Sequence, residues 1–393
     1  MNPAFLKPCY DAGGFAGIPN RIKEAFARGS YDAVVLLLVD GFGWRFFERF
    51  RDTPFLKRIA KSGSIEKLTS QFPSTTAAHL TTIHTGLPVG ASSIYEWFIY
   101  EPALDQIIAP LLFSHSGTRE RETLRAARID PAVVYPRGTF YSELKQLGVL
   151  PFVFGVRDYT PSTFSRAVMA GAELLRFLTL PEALINLGQL LEKQKKPTYV
   201  HLYFDKIDSV SHDYGPSAPQ TEAEIESFLL IMENFIERIF KGKRVLFLMT
   251  ADHGQVEVDP QTTIYLNRDM RFSGIERFLK INRYRQLLVP AGSARDMFLH
   301  VRDDLLDDAQ DFLTSRLEGK ADVVKTEFLI NEGYFGLEVS SRFRERVGNL
   351  VILPYQYESV WWYEKDKFEQ RFYGHHGGLT PQEMETVLYT VEI

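Results

Sequence analysis

Three aspartates follow apolar stretches of the chain that are typical of buried strands. Asp40, Asp208 and Asp252 come at or shortly after the ends of residues 34–39, 198–204 and 245–249. Ligands of open α/β sheets bind at the carboxyl ends of strands, so we expect the three carboxylates to converge at one edge. Carboxylate oxygens bind divalent metal ions. One aspartate before a glycine is also ordinary turn sequence, so it is the set of three that predicts an ion site.

Histidines accompany these aspartates. Asp208 and His212 are four residues apart, as one helical turn requires if both face one ion, and His253 directly follows Asp252. His376 stands in a glycine-flanked stretch that is typical of a tight loop. Carboxylate and imidazole together favour zinc, with manganese as the alternative, over calcium. Each Asp–His pair taken alone is more readily explained as a surface ion pair or a turn.

A hydroxyl nucleophile is predicted just before a helix. Ser74, Thr75 and Thr76 precede residues 77–85, which have helical character and end at Gly86. Free backbone N–H groups and the helix dipole favour an anion there. A bound metal would lower the pKa of the hydroxyl, and two divalent ions facing three aspartates leave net positive charge for a phosphate. Simple N-capping by these residues is the alternative.

The elements that must position these residues alternate between strands and helices. Beyond the three strands named above, we predict helices over 22–28, 55–60, 182–193 and 305–317, and shorter strands over 152–154, 286–289, 297–301 and 350–353. Thr221, with Glu224 three residues later, predicts a capping box that opens a long amphipathic helix. Because the pattern changes after about residue 257, we predict a catalytic core of residues 1–257 and 371–393 and a smaller inserted domain of residues 258–370.

Composition limits the functions open to the chain. The 393 residues are 45% hydrophobic and 24% charged, with a net charge of −5, which is typical of a folded protein without a broad nucleic-acid-binding surface. The single cysteine, Cys9, indicates a reducing compartment, and no apolar stretch approaches the length of a membrane span. We therefore expect a cytoplasmic protein that acts on a small substrate, without a membrane partner. The oligomeric state is not indicated.

The motifs together resemble those of the alkaline phosphatase superfamily, and within it the type I phosphodiesterase/nucleotide pyrophosphatase family. Asp40 matches the first metal aspartate of that family, and Asp208-x-x-x-His212-x-x-Gly-Pro, Asp252-His253-Gly and Gly-His375-His376-Gly match three later motifs. The nucleophilic threonine of the family lies nine residues before a Thr-Gly-Leu triplet. Here that triplet is Thr85-Gly86-Leu87, which selects Thr76.

The resemblance implies an alkaline phosphatase-like α/β fold, with a mostly parallel central sheet flanked by helices and a smaller α+β insertion. It also implies two divalent ions. Asp208, His212 and His376 would hold one ion, and Asp40, Thr76, Asp252 and His253 would hold the other.

One position departs from the pattern of the family. Many relatives place an asparagine twenty-one residues after the nucleophile, where it donates to a phosphoryl oxygen, but here that residue is Trp97. The sulfatase branch is not favoured, because no Cys or Ser followed by x-Pro-x-Arg is present at the nucleophile. Arg295 is a candidate for a phosphate contact or for a surface salt bridge, and we expect the salt bridge. The aromatic residues of the insertion, which pack a strand or stack on a planar ligand, are Tyr355, Tyr357, Trp361, Trp362 and Tyr363.

The resulting hypothesis is a metal-dependent phosphohydrolase of the phosphodiesterase/nucleotide pyrophosphatase type that acts on a small phosphate ester or nucleotide through Thr76. A phosphomonoesterase, a phosphonate hydrolase or a phosphomutase using the same two ions is the first alternative. A non-catalytic protein that binds metal or nucleotide and retains the fold is the second alternative.

Overall fold

The computed structural model describes residues 1–240 and 242–393. The strands of these residues are β1 Ala33–Val39, β2 Gly63–Thr69, β3 Ile99–Glu101, β4 Gln106–Ala109, β5 Ser114–His115, β6 Leu150–Val156, β7 Glu173–Phe177, β8 Thr198–Phe204, β9 Val245–Thr250, β10 Val256–Glu257, β11 Ile264–Tyr265, β12 Met297–Leu299, β13 Ala321–Lys325, β14 Leu350–Pro354, β15 Val360–Trp361, β16 Gly374–His375 and β17 Glu385–Glu392.

The α-helices of the same residues are α1 Ile18–Ala27, α2 Trp44–Phe50, α3 Pro54–Ser62, α4 Thr76–Thr85, α5 Val89–Ser92, α6 Thr123–Ala126, α7 Phe140–Gln146, α8 Thr163–Val168, α9 Leu180–Lys193, α10 Lys206–Tyr214, α11 Pro219–Phe240, α12 Leu306–Arg316, α13 Thr326–Asn331, α14 Ser341–Arg346 and α15 Pro381–Met384. None of the helices in the described residues is long and apolar enough to cross a membrane.

The central sheet has the strand order β2-β17-β9-β1-β8-β6-β7 within the described residues. Strand β1 pairs in parallel with β8 and β9, and β6 pairs in parallel with β7 and β8. Strand β17 runs antiparallel between β2 and β9. Every residue of β1 is buried, and alternate side chains enter two separate apolar clusters, one on each face of the sheet. Helices therefore cover both faces, as the sequence predicted for a mostly parallel α/β sheet.

Residues 258–370 contain the antiparallel sheet β12-β14-β13, with helix α12 packed beside it. Many of their apolar side chains form a third cluster of their own. Others, including Phe298 and Phe335, join the cluster that covers one face of the central sheet, where both lie near Phe72. The division into a core and an inserted domain stays a prediction.

Two predicted local structures differ from the observed ones. Helix α11 begins at Pro219, so Thr221 lies inside its first turn and donates to the carbonyl oxygen of Gly215 over 2.8 Å instead of capping the helix. Proline is favoured at the first helical position, which explains the earlier start. Residues 286–289 form no strand, and Leu287 makes a single bridge to Ile281. The bounds of the strand over 198–204 agree with the prediction.

The fold brings the candidate residues to one edge of the sheet. Strands β8, β1 and β9 are neighbours and parallel, so their carboxyl ends lie side by side. Asp40 follows β1, α10 with Asp208 and His212 follows β8, and Asp252 follows β9. Adjacent strand ends therefore supply the three aspartates, as expected for a ligand site of an open α/β sheet.

Candidate metal centre

The turn after β1 fits closely against the helix that carries Asp208. Gly41 has a φ of 72°, and a Cβ atom on it would lie 3.2 Å from the Cα and Cβ of Asp208. Its N–H donates to Oδ1 of Asp252 over 3.2 Å. A glycine is needed here because the backbone conformation is left-handed and the neighbouring helix leaves little room. The turn thereby holds Asp40, Asp208 and Asp252 together.

The first group of ligand atoms comes from Asp208, His212 and His376, whose candidate atoms all lie within 4.8 Å of one another. Nε2 of His212 is 3.3 Å from Oδ2 of Asp208, and Nε2 of His376 is 3.8 Å from Oδ1. Nδ1 of His212 is 2.8 Å from the carbonyl oxygen of Gly374, and Nδ1 of His376 is 2.9 Å from that of Ser74. Because a carbonyl only accepts, both histidines carry the proton on Nδ1 and present Nε2 as the ligand atom.

The second group comes from Asp40, Asp208 and His253, again within 4.8 Å of one another. Nε2 of His253 lies 3.4 Å from Oδ1 of Asp40 and 3.4 Å from Oδ2 of Asp252. That oxygen of Asp252 is buried and has no hydrogen-bond partner among the described residues. A buried anionic oxygen without a donor needs a cation, so the donor set fits a metal ion. Asp208 belongs to both groups.

Thr76 is the predicted hydroxyl that faces these ligands. It is the first residue of α4, and its Oγ1 lies 3.2 Å from Nε2 of His253 and 3.4 Å from each carboxylate oxygen of Asp40. The hydroxyl of Ser74 donates instead to the carbonyl oxygen of Gly378 over 2.8 Å. The N-terminus of α4 and the second ligand group therefore meet at Oγ1 of Thr76.

Electrostatics in the cluster favour bound cations. Burial, together with the carboxylates of Asp252 and Asp208, raises the pKa of Asp40 well above its usual value. Burial and Asp208 also raise the pKa of Asp252. Burial opposes ionisation of Asp208 as well, but His212 and His376 outweigh it and hold the pKa of Asp208 below its usual value. Several carboxylates in one dry space repel each other until positive charge is present.

Two residues that the sequence did not single out contact the aspartates directly. The side-chain amide of Gln255 donates to Oδ1 of Asp208 over 2.5 Å, and the hydroxyl of Tyr203 donates to Oδ2 of Asp40. Such partners orient the ligands of a metal. Only their places in the sequence could have indicated them. Gln255 lies three residues after Asp252, and Tyr203 precedes the last residue of β8.

Other predicted residues lie outside the two ligand groups. His375 is buried with Nδ1 against the backbone of His376, and neither ligand group includes it. Trp97 is half-buried, and its backbone N–H donates to the carboxylate of Glu96. The prediction of a surface salt bridge for Arg295 is wrong, because Arg295 is fully buried and pairs with Glu383 through two contacts of 2.9 Å.

The aromatic residues singled out within residues 258–370 mostly pack against other side chains of the same region. Trp361 and Trp362 are buried in the third apolar cluster. The hydroxyl of Tyr355 donates to Oδ1 of Asp322 over 2.7 Å, and the guanidinium of Arg268 lies 3.5 Å from the ring centroid of Tyr363. Packing therefore accounts for these four rings, whereas Tyr357 is exposed.

The mostly parallel sheet, with carboxylates and imidazoles gathered at its carboxyl edge, defines an alkaline phosphatase-like α/β fold. The chain belongs to the type I phosphodiesterase/nucleotide pyrophosphatase family, since the sequence profile of that family matches residues 34–379. The resemblance inferred from the motifs is thereby confirmed.

Individual relatives are distant in sequence. A venom phosphodiesterase of Naja atra is 26% identical over 252 residues, which is 59% of this chain and 27% of that protein. The human ectonucleotide pyrophosphatase/phosphodiesterase family member 1 is 22% identical over 250 residues, or 60% of this chain and 24% of that protein. The chain thus spans about a quarter of the length of these curated relatives.

Among solved structures, murine ectonucleotide pyrophosphatase/phosphodiesterase 5 superposes with a TM-score of 0.67 at 17% identity, covering 91% of this chain and 87% of that one. The same murine protein has been solved as an inactive variant in complex with AMP. At this level of identity, the similarity shows the fold alone.

Proposed function

We propose that this chain is a metal-dependent phosphodiesterase or nucleotide pyrophosphatase that uses Thr76 as nucleophile and two divalent ions, with zinc preferred over manganese. The observation that carries the proposal is the position of Oγ1 of Thr76, within 3.2–3.4 Å of His253 and Asp40 and at the start of a helix. Membership of the family and the names of the relatives support the same class of reaction.

The residues would divide the work as follows. Asp208, His212 and His376 would hold one ion, and Asp40, Asp252 and His253 with Thr76 would hold the other, with Asp208 close enough to contact the second ion as well. When bound, the ions supply positive charge that lowers the pKa of the threonine hydroxyl and neutralises the phosphoryl oxygens. The free N–H groups at the start of α4 add donors toward the phosphoryl group, where many relatives use the asparagine that Trp97 replaces here.

The chemistry then takes two steps. Oγ1 of Thr76 attacks phosphorus, and the bond from phosphorus to the departing alcohol breaks on the opposite side. The proton that the hydroxyl loses is balanced by the proton that the departing alkoxide takes up. Water next cleaves the bond between phosphorus and Oγ1, which restores the hydroxyl and releases the phosphorylated product.

A diester or pyrophosphate substrate is preferred over a monoester because of the charges around the site. Within the described part of the chain, the ion pairs of Asp40, Asp208 and Asp252 involve histidines and no Lys or Arg. A monoester carries a second negative charge that a cationic side chain usually meets. A phosphomonoesterase, phosphonate hydrolase or phosphomutase remains the alternative that a substrate panel distinguishes.

The test uses the metal-free protein reconstituted with zinc or manganese. We expect hydrolysis of an aryl phosphate diester and a nucleotide pyrophosphate to exceed that of the matching monoester and phosphonate. Thr76→Ala should lower kcat by at least about a thousandfold, as loss of a nucleophile does. Thr85→Ala is the matched control, because it removes a buried hydroxyl from the other end of α4. Full activity of Thr76→Ala, or activity without metal, would contradict the proposal.

A further inference from the structure

A phenylalanine ring stands at the solvent side of the candidate metal ligand His212. The side chain of Phe372 is 39% exposed, and its ring centroid lies 4.4 Å from that of the imidazole, with the planes tilted by 40°. His212 presents Nε2 to Asp208, so the phenyl ring borders the first ligand group directly. Most large apolar side chains are buried in the core, and core packing does not explain why this ring is exposed to solvent.

Hydrogen bonds made by residues before and after Phe372 hold its backbone in place. Its N–H donates to Oε1 of Gln370 over 2.9 Å, and its carbonyl oxygen accepts from Nε2 of Gln370 over 3.2 Å. The next residue, Tyr373, donates its N–H to the carbonyl oxygen of His212 over 2.8 Å. Nδ1–H of His212 donates in turn to Gly374. The ring is therefore presented on a fixed segment, which lowers the entropy lost when a ligand packs on it.

The geometry of displacement at phosphorus says which part of a substrate meets this ring. Entering and leaving oxygens lie on opposite sides of the phosphorus atom. Oγ1 of Thr76 lies beside Asp40 and His253, in the second ligand group, whereas His212 belongs to the first. With attack from the side of the second group, the leaving oxygen would face the first group, and the organic part bonded to it would extend along His212.

We propose that Phe372 contacts the leaving group and favours a planar, aromatic one over a non-planar one of similar size. The inference rests on the proposed function, since it assumes that Thr76 attacks. Phe372, which is not a candidate metal ligand, would thus be the residue that selects the leaving group. Stacked or edge-to-face aromatic pairs contribute about 0.5–1.5 kcal/mol, which corresponds to roughly a 2- to 13-fold preference.

The test compares two diesters that share a methyl phosphoryl group. Phenyl methyl phosphate has a planar leaving group, and hexafluoroisopropyl methyl phosphate has a non-planar one of comparable acidity. Taking the ratio of kcat/KM between them, and then comparing variants, cancels the intrinsic reactivity of each ester. We expect Phe372→Leu to lower the phenyl-to-fluoroalkyl ratio about fivefold. Phe372→Tyr should keep the ratio of the wild type.

Two controls separate this role from a structural one. Leucine preserves apolar packing against His212, and the bound metal of each variant is measured to show that the ligand group is intact. Tyr284→Leu removes another exposed ring, 55% accessible, on the segment between Asn282 and Gln286 and should leave the ratio unchanged.

Each other outcome overturns the inference in a recognisable way. Equal loss on both diesters would mean that Phe372 acts only by positioning His212. An unchanged ratio with an altered oligomeric state would mean that the ring belongs to a contact between copies of the chain. Failure of the wild type to hydrolyse any diester would instead contradict the proposed function itself.

Discussion

The side-chain amide of Gln255 donates a hydrogen bond to Oδ1 of Asp208 over 2.5 Å, while Oδ2 of the same carboxylate faces His212. The amide also lies 3.3 Å from the backbone carbonyl oxygen of Asp208. Gln255 therefore fixes the orientation of the one carboxylate that takes part in both ligand groups.

Replacing this amide should weaken metal binding without removing a ligand. We expect Gln255→Met to lower metal affinity about 10- to 100-fold, as loss of an orienting partner typically does. Competition with a chelator of known affinity measures the change. Gln310→Met is the matched control, since Gln310 donates a similar hydrogen bond to Val323 at a half-buried position of α12. Equal affinities for the wild type and Gln255→Met would mean that the contact has no orienting role.

Asp208 should matter to both ions, and His212 to one. The candidate ligand atoms of Asp208 lie within 4.8 Å of those in each group, whereas His212 belongs to the first group alone. We expect His212→Gln to retain about one tightly bound ion per chain and Asp208→Asn to retain fewer. Elemental analysis after gel filtration gives the stoichiometry. The same loss in both variants would indicate that Asp208 serves a single ion.

The metal-free protein should become more stable when Asp40 is made neutral. The pKa of the Asp40 carboxyl is 3.8 in the unfolded chain and higher in the folded protein, so the folded protein holds this proton more tightly. The stability that this proton contributes is lost as the pH rises from the unfolded-state pKa to the folded-state pKa, and above that the charged carboxylate destabilises the fold. We expect metal-free Asp40→Asn to exceed the metal-free wild type in free energy of unfolding at pH 7, by about 1.4 kcal/mol for each unit of the shift realised. The advantage should shrink at pH 5, and zinc should stabilise the variant less than the wild type. Thermal melts with and without metal at both pH values test this; a destabilised metal-free variant at pH 7 would be the contrary result.

His201 should make the protein sensitive to acid. Burial lowers its pKa from 6.5 to about 3, and neither ring nitrogen has a hydrogen-bond partner among the described residues. Because only the unfolded chain takes up a proton at His201 as the pH falls from 6.5 toward 3, the folded protein loses stability over this range. We expect His201→Leu to reduce the loss of stability between pH 7 and pH 5 by about 2 kcal/mol.

Denaturant titrations of the wild type and of His201→Leu at the two pH values measure this difference. His115→Leu is the control, since that histidine is half-buried at the short strand β5. An identical pH dependence in the wild type and His201→Leu would show that the ring nitrogens of His201 are solvated in the folded protein.

Residue type and order predicted that three aspartates and their histidines would meet at one edge of the sheet, whereas the choice of Thr76 among three hydroxyls came from the resemblance to the family. Asp40, Asp208 and Asp252 all follow strands. A strand that is buried on both faces is recognised in the sequence by an unbroken apolar run, such as residues 34–39. Because parallel neighbours align their carboxyl ends, the aspartates had to share an edge. Their roles, and the cytoplasmic location inferred from Cys9, stay predictions.

Features that depend on the direction of a side chain could not be predicted. Tyr203 and Gln255 resemble any other strand or loop residue until the distances to Asp40 and Asp208 are known. Arg295 was expected at the surface because arginine is rarely buried, and its partner Glu383 is 88 residues away in sequence. Thr221 had a capping sequence, but Pro219 supplied an earlier start for the same helix.

The buried pair of Arg295 and Glu383 determines whether residues 258–370 can be removed from the protein. The arginine belongs to residues 258–370 and also donates to the carbonyl oxygens of Tyr355 and Glu358, while Glu383 accepts from the N–H of Gly378, just beyond His376. Cutting out residues 258–370 and joining the ends would leave a carboxylate sealed in the interior without a cation, next to the loop that carries a metal ligand. Residues 258–370 are thus not a module that a designer could exchange freely. Any transplant must bring an arginine to the same point.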